Sequence, residues 1–391
     1  MSRGELGGRV DSYLELQVAD GHIQLADEGR PLEDLDPRAR EAGAVLSDPD
    51  AYPERYLTHD PARRWRDLTA SPDLPTVARA ARDLWPQLTG RQIDGVLVID
   101  PVALAGFVEL IGPIKVSGRA QPLDSRNLVQ ALLRPVADNG DDDVNTTAPG
   151  PDEPSELLGW TARRTFGELL AGDLPPPRRL GEALSAPARG GHLQAHLFEP
   201  DERRLLGRLQ LDGTFPDPAG GDLVAVTQAN AGAGAVDGFV DRRVTHDVRL
   251  DGDDVTATTR VVLDNKTPTA VAEHLAAEAP TGRADLFLSV YTPFELDSVS
   301  IDGDQLDAEP FREHGVNRYT VPVEIPRRAA REVVFELRGR LEDPDRYRLT
   351  VVNQPLGRND DVAVVVRSGR GTWEVSPPTE RRIVRWRPPE P

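Results

Sequence analysis

Between Asp94 and Val116 the chain reads Asp-Gly-Val-Leu-Val-Ile-Asp-Pro-Val-Ala-Leu-Ala-Gly-Phe-Val-Glu-Leu-Ile-Gly-Pro-Ile-Lys-Val, and this stretch constrains the fold more than any other. Val96 to Ile99 is an unbroken apolar run, the pattern of a strand buried on both faces. Asp100 then occupies a helix N-cap position and Pro101 the first helical position. The helix predicted from there is apolar nearly all round, through Val102, Leu104, Phe107, Val108, Leu110 and Ile111, so it should be enclosed. Gly112 and Pro113 end it, and Ile114 to Val116 restarts a strand. A strand-helix-strand unit of this kind predicts an α/β domain whose central mixed sheet encloses the valine-isoleucine run as a parallel strand.

The flanks support two domains in the 391 residues. Tyr13, Leu14, Leu16 and Val18 lead to an Asp20-Gly21 turn, which predicts a hairpin returning through His22 to Leu25. Ser71 to Thr76 starts a helix with Val77, Ala80, Ala81 and Leu84 on one face. Asp124 caps another, with Leu128, Val129, Leu132 and Leu133 together. Residues 137–156 are acidic and rich in breakers, which predicts a mobile loop. Helical spacing returns from Leu157 to Leu170. Near Val240 the texture changes to short alternating runs, including Val244 to Leu250 and Val255 to Leu263 around Asp251-Gly252. The expected architecture is an α/β domain over 1–240 followed by an antiparallel β-sandwich over 241–391.

Charge narrows the partners. The 65 acidic and 46 basic residues leave a net charge of −19. Nucleic acid is a poor partner for such a chain, because phosphate contacts need a basic face. An anionic membrane surface is disfavoured for the same reason. Lys115 and Lys266 are the only lysines, so almost every cation is an arginine. With no cysteine, disulfides, thiolate nucleophiles and Cys-type zinc sites are excluded. No signal or anchor is read in the chain, and its longest apolar run is too short to span a bilayer.

Several motifs carry less than they suggest. His192 and His196 are four apart, a metal-binding spacing on a helix. Here Leu193, Ala195 and Leu197 alternate with polar neighbours, so the segment reads as a strand that would hold the two imidazoles roughly 13 Å apart. Asp141-Asp142-Asp143 lacks the spaced ligands of a calcium loop. There is no Gly-x-Ser-x-Gly, P-loop or His-Glu-x-x-His. Trp373 and Trp386 offer rings on which a sugar can stack, although packing is the commoner use of tryptophan.

Arg3-Gly4 with Gly7-Gly8, Ser71 to Ala78, the Asp94 to Val116 block, Asp124 with Asn127, Asn230 with Val236-Asp237, Tyr291-Thr292-Pro293 and Gln354-Pro355 together resemble domain of unknown function family 4012. This bacterial family occurs mainly in envelope-associated proteins of actinobacteria. The chain departs from its pattern at Arg9-Val10-Asp11, where Phe-Ile-Gly is usual. The resemblance implies an extracytoplasmic or cell-envelope location.

In strand-helix order the first domain is also similar to the LytR-CpsA-Psr proteins, which transfer lipid-diphosphate-linked glycopolymers to peptidoglycan. Arg9 with Asp11 matches their first Arg-x-Asp element, and Arg30-Pro31 with Asp34 matches a later loop. Arg134, Arg163 and Arg164 stand where later arginines would be. That likeness implies Arg9, Arg30, Arg134, Arg163 and Arg164 as a diphosphate clamp, and Asp11 or Asp34 as Mg²⁺ ligand or base. The expected function is therefore binding of surface glycopolymer or polyprenyl-linked glycan. The alternatives are an Mg²⁺-dependent phosphotransferase and a non-catalytic adhesion or assembly module. A gathering of these arginines in one cleft would favour the enzyme, and arginines individually paired with acids would favour the other two.

Overall fold

The computed structural model describes residues 6, 8–20, 22–117, 119, 121–133, 154–172, 174–232, 235–274, 280–308, 310–341, 343 and 346–389. Arg134 and most of the predicted acidic loop, 137–153, lie outside the described residues. The chain divides into two compact units, Gly8–Gly213 and Met1–Gly7 with Thr214–Pro391. The division falls at Thr214 rather than near 240, because the first strand of the β-rich unit precedes the change in sequence texture.

In the Gly8–Gly213 unit, β1 (Tyr13–Ala19) and β2 (His22–Gly29) form the predicted antiparallel hairpin. A π-helical turn, Pro31–Leu35, leads to α1 (Asp36–Ala42), then α2 (Glu54–Thr58) and α3 (Leu74–Thr89). Asp73 caps α3 as its side chain accepts from the Thr76 amide, and Gly90 closes the helix in the left-handed conformation. Val77, Ala80, Ala81 and Leu84 are buried along the predicted face.

Next come β3 (Gly95–Ile99), α4 (Pro101–Ile111), α5 (Leu128–Leu133), α6 (Pro154–Ala171), α7 (Pro177–Gly190), β4 (Leu193–Leu197) and α8 (Pro200–Leu209). Asp100 caps α4 as expected, with Oδ1 accepting from the Val102 and Ala103 amides. Helix α4 is largely enclosed, with Ala103, Leu104, Val108 and Leu110 buried. Gly106 lets α7 approach closely, since a β-carbon there would lie 2.8 Å from the Ala183 carbonyl oxygen.

The valine-isoleucine run is a strand, but its expected setting is corrected. β3 pairs antiparallel with β4 alone, in a two-stranded sheet. Leu97 is 47% exposed. Two strands cannot build an enclosed parallel layer, so the described part of this unit contains no central mixed sheet. The large mixed sheets belong to the other unit.

That unit contains β5 (Asp222–Asn230), β6 (Val240–Asp251), β7 (Asp254–Asn265), α9 (Thr269–His274), β8 (Ala284–Thr292), β9 (Glu295–Ile301), β10 (Asp304–Leu306), β11 (Pro310–Glu313), β12 (Val316–Ile325), β13 (Ala330–Arg340), β14 (Leu349–Asn353), β15 (Asp361–Ser368), β16 (Gly371–Val375) and β17 (Ile383–Trp386). One sheet of six runs β11-β12-β8-β5-β14-β17, and one of seven runs β10-β9-β13-β7-β6-β15-β16. Neither is wholly antiparallel as expected, for β14 runs parallel to β5 and β15 parallel to β6. One apolar cluster takes side chains from both sheets, among them Val224, Leu288 and Val351 with Val248, Val261 and Phe335. Burying a valine, leucine or phenylalanine this completely stabilises by about 1.5–3 kcal/mol each.

Several polar groups inside this unit are tied down, though Asp222 Oδ1, Thr227 Oγ1 and Gln228 Oε1 are buried with no partner among the described residues. His246 Nδ1 lies 2.8 Å from Thr259 Oγ1, its Nε2 lies 3.4 Å from Asp222 Oδ2, and the Tyr347 hydroxyl donates to that same oxygen at 2.6 Å. Arg242 forks onto Asp360 at 2.8 and 2.6 Å. The Gln354 side chain both accepts from and donates to the Gln228 backbone, as a neighbouring strand would.

Candidate functional site

Three of the residues implied by the LytR-CpsA-Psr likeness, Arg30, Asp34 and Arg163, lie about the end of β2, and Arg9 lies in the segment before β1. Arg9 Nε donates to Asp67 Oδ1 at 2.9 Å, while Arg64 holds the other oxygen at 2.8 Å. The buried Asp67 is thus neutralised from two sides. Arg30, just beyond β2, places its guanidinium 3.1 Å from Glu33. Its amide donates to Asp34 Oδ2 at 2.7 Å. Arg163 reaches across from α6 to Glu28, at 3.6 Å.

The other candidates do not join them as a clamp. Arg164 pairs along its own helix with Glu168, at 2.5 Å. Asp11 is half-buried in the segment leading to β1. Every described candidate arginine therefore faces at least one carboxylate, and an incoming diphosphate would have to displace it.

Aromatic packing holds this region. Trp85 meets Tyr13 edge-on at 5.6 Å and Trp65 at 5.7 Å. The Tyr13 hydroxyl is buried with no hydrogen-bond partner among the described residues. Burial, followed by the charge of Asp27, pushes its pKa above the ordinary phenol value.

Among the described residues, no three His, Asp or Glu side chains gather as a metal site requires. Asp11 and Asp34 therefore belong to no such cluster among the described residues. The two histidines near β4 also act separately. His192 Nδ1 lies 2.5 Å from Asp100 Oδ2, whereas His196 packs edge-on against Phe198 at 5.5 Å. The Asp100–His192 pair spans distant parts of the sequence, and its only local signal is the Asp100 cap.

A second candidate surface lies in the β-rich unit, where β16 and β17 are edge strands of different sheets. Trp373 and Trp386 meet there with ring centroids 6.4 Å apart and planes tilted by 59°. Tyr347 lies edge-on to Trp386 at 6.4 Å. Both tryptophans are half-buried against the shared apolar cluster and keep part of their surface open. Their strand partners, Val366 and Leu349, belong to that cluster, which fixes the direction of the rings.

Residues 4–136 match the family model described as Protein of unknown function (DUF4012). This stretch belongs to the DUF4012 family. The matched DUF4012 segment includes Arg9, Asp11, Arg30, Asp34, the Asp73-capped helix and Asp100, and it ends before Arg163. No curated protein matches the chain. One similar solved structure is a candidate nutrient-binding protein from Legionella pneumophila, 7% identical with a TM-score of 0.26; the match covers 37% of this chain and 54% of that one. Another is an M1 zinc metallopeptidase from Deinococcus radiodurans, 9% identical with a TM-score of 0.19, covering 33% of this chain and 32% of that one. Likenesses this slight carry no argument. No helix among the described residues is long and apolar enough to cross a membrane.

Proposed function

We propose that this chain is a cell-envelope protein that binds surface glycopolymer or lipid-linked glycan, with the Trp373–Trp386 pair as the sugar-contacting surface. On this reading the two large sheets form a β-sandwich with the two indoles at its edge strands. The carrying observation is the meeting of these rings, 6.4 Å apart and partly open, between two edge strands. Tilted indole faces offer the apolar surface on which the C–H face of a sugar ring packs, and edge strands leave backbone donors and acceptors for its hydroxyls. The reading assigns no catalysis, which agrees with the acid-paired state of the described candidate arginines.

Calorimetric titration of the full chain with wall glycan fragments tests this. Binding by the wild type that is weakened in Trp373→Ala and Trp386→Ala is expected; a wild type that binds no fragment contradicts it.

The placement of Arg30, Asp34 and Arg163 about the end of β2 is the one observation for a second reading, an Mg²⁺-dependent phosphotransferase of LytR-CpsA-Psr type, although each arginine is held by an acid. Retention of polyprenyl phosphates by the wild type, lost in Arg9→Ala, would support it. Equal retention by both proteins, or none by either, would remove it.

A further inference from the structure

We infer that β17 makes the glycan contact selective for anionic chains, with Arg385 and Arg387 as forks for their phosphate or carboxylate groups. This rests on the glycan-binding reading above.

Residues 381–389 read Arg-Arg-Ile-Val-Arg-Trp-Arg-Pro-Pro, four arginines with no acid between them. Arg382 is buried and donates to the Thr214 carbonyl at 3.2 Å, so its role is internal. Arg381, Arg385 and Arg387 are exposed. None of these three has a carboxylate partner among the described residues. In the same unit Arg243, Arg260, Arg331 and Arg340 each face a carboxylate, while the exposed Arg249 and Arg312 stand singly with no acid partner among the described residues; what distinguishes 381–387 is that three such arginines share one short segment. In a chain of net charge −19, three exposed guanidinia within seven residues, between Glu380 and Glu390, concentrate positive charge on one short segment. At physiological salt, charge is screened over about 8 Å, so a bound ligand meets this local patch rather than the acidic whole.

The geometry joins the patch to the tryptophans. β17 pairs with β14 on one side, and no described strand pairs with its other edge. Trp386 stands opposite Leu349, a member of the shared core, whereas Arg385 stands opposite Thr350 on the other face. Arg387 follows directly on Trp386, the last residue of β17, and is exposed. A chain lying along the open edge of β17 would stack its sugars against the indoles on one side. Guanidinium forks would reach it from the other, in the planar geometry that suits phosphate and carboxylate oxygens.

The test is calorimetric titration of the full chain at 50 and 200 mM salt with glucose-substituted poly(glycerol phosphate), polygalacturonate and neutral dextran. The wild type is compared with Arg385→Gln/Arg387→Gln and with Trp373→Ala. Both arginines are exposed, so the double variant should keep the wild-type melting temperature. It is expected to lose about tenfold or more in affinity for an anionic polymer and to show a shallower salt dependence, with dextran binding unchanged. Loss confined to one anionic polymer identifies phosphate or uronate as the recognised group. Unchanged affinity and salt dependence for both anionic polymers, with binding still lost in Trp373→Ala, overturns this inference and leaves the glycan reading standing. Failure of the wild type to bind any of the three polymers overturns both.

Discussion

His192 Nδ1 lies 2.5 Å from Asp100 Oδ2, joining residues 92 apart in sequence. The other oxygen of the same carboxylate caps α4. A single side chain therefore fixes the helix start and the end of the β3–β4 ribbon, where the Asp100 amide also donates to the His192 carbonyl.

Asp100→Ala removes the cap and leaves the His192 ring without its acceptor. A loss of about 2 kcal/mol is expected. Asp100→Asn keeps an oxygen for the helix amides and should lose less. Scanning calorimetry of the full chain checks the ranking, and equal losses would show that the cap is not what the carboxylate supplies.

Burial, with the nearby charge of Arg203 next in size, lowers the pKa of His196 below the ordinary value of 6.5. The folded state therefore binds fewer protons than the unfolded state as the pH falls below that value. Stability should drop as the pH moves from about 6.5 toward the lowered native value. His196→Gln should show a smaller fall in melting temperature between pH 7 and 5.5. An identical fall in variant and wild type would place the acid sensitivity elsewhere.

Asp237 has the opposite sign. Complete burial raises its pKa above 3.8, although the Asn230 amide donates to its Oδ1 at 2.9 Å. The folded state then holds its proton more tightly than the unfolded state, so this residue costs stability as the pH rises from about 3.8 through the raised value. Asp237→Asn retains an acceptor for Asn230 and removes the charge. The variant should match or exceed the wild type in melting temperature at pH 7.5, and its advantage should shrink toward pH 4. A variant less stable at pH 7.5 than at pH 4, relative to wild type, would contradict this.

Gly29 ends β2 where the Asp34 carboxylate and the Tyr13 ring close in. A β-carbon there would collide with Asp34 and lie 3.0 Å from a Tyr13 ring carbon. Gly29→Ala should cost about 1–3 kcal/mol. It should also displace Asp34 from the Arg30 amide, which amide hydrogen exchange at Arg30 would report. Unchanged exchange and stability would mean that the hairpin base yields at no cost.

The features legible in the sequence were those written in neighbouring residues. The Ser71–Thr76 stretch and Asp100 announced two helix starts, and Asp251-Gly252 announced the β6–β7 hairpin, because caps and turns are local chemistry. The run Val96–Ile99 announced a strand but not its partner, since β4 is supplied by residues about a hundred positions later. The boundary near 240 was misplaced because β5 has no turn signal to group it with the later strands. Its parallel partner, β14, lies far along the chain. Candidate arginines could be named from a family pattern, yet the acids they face, Asp67 for Arg9 and Glu28 for Arg163, are set by tertiary structure. The approach of Trp373 to Trp386 was hidden for the same reason, as each strand belongs to a different sheet.

The contact between indole and sugar is the claim on which the functional account rests, and the chain has only five tryptophans. Fluorine NMR of the full chain labelled with 5-fluorotryptophan, assigned by single Trp→Phe variants and titrated with wall glycan fragments, observes each one. The account predicts that the Trp373 and Trp386 resonances shift on binding while those of Trp65, Trp85 and Trp160 stay in place. No shift at Trp373 and Trp386, or shifts confined to Trp65 and Trp85 beside the candidate arginines, would contradict it.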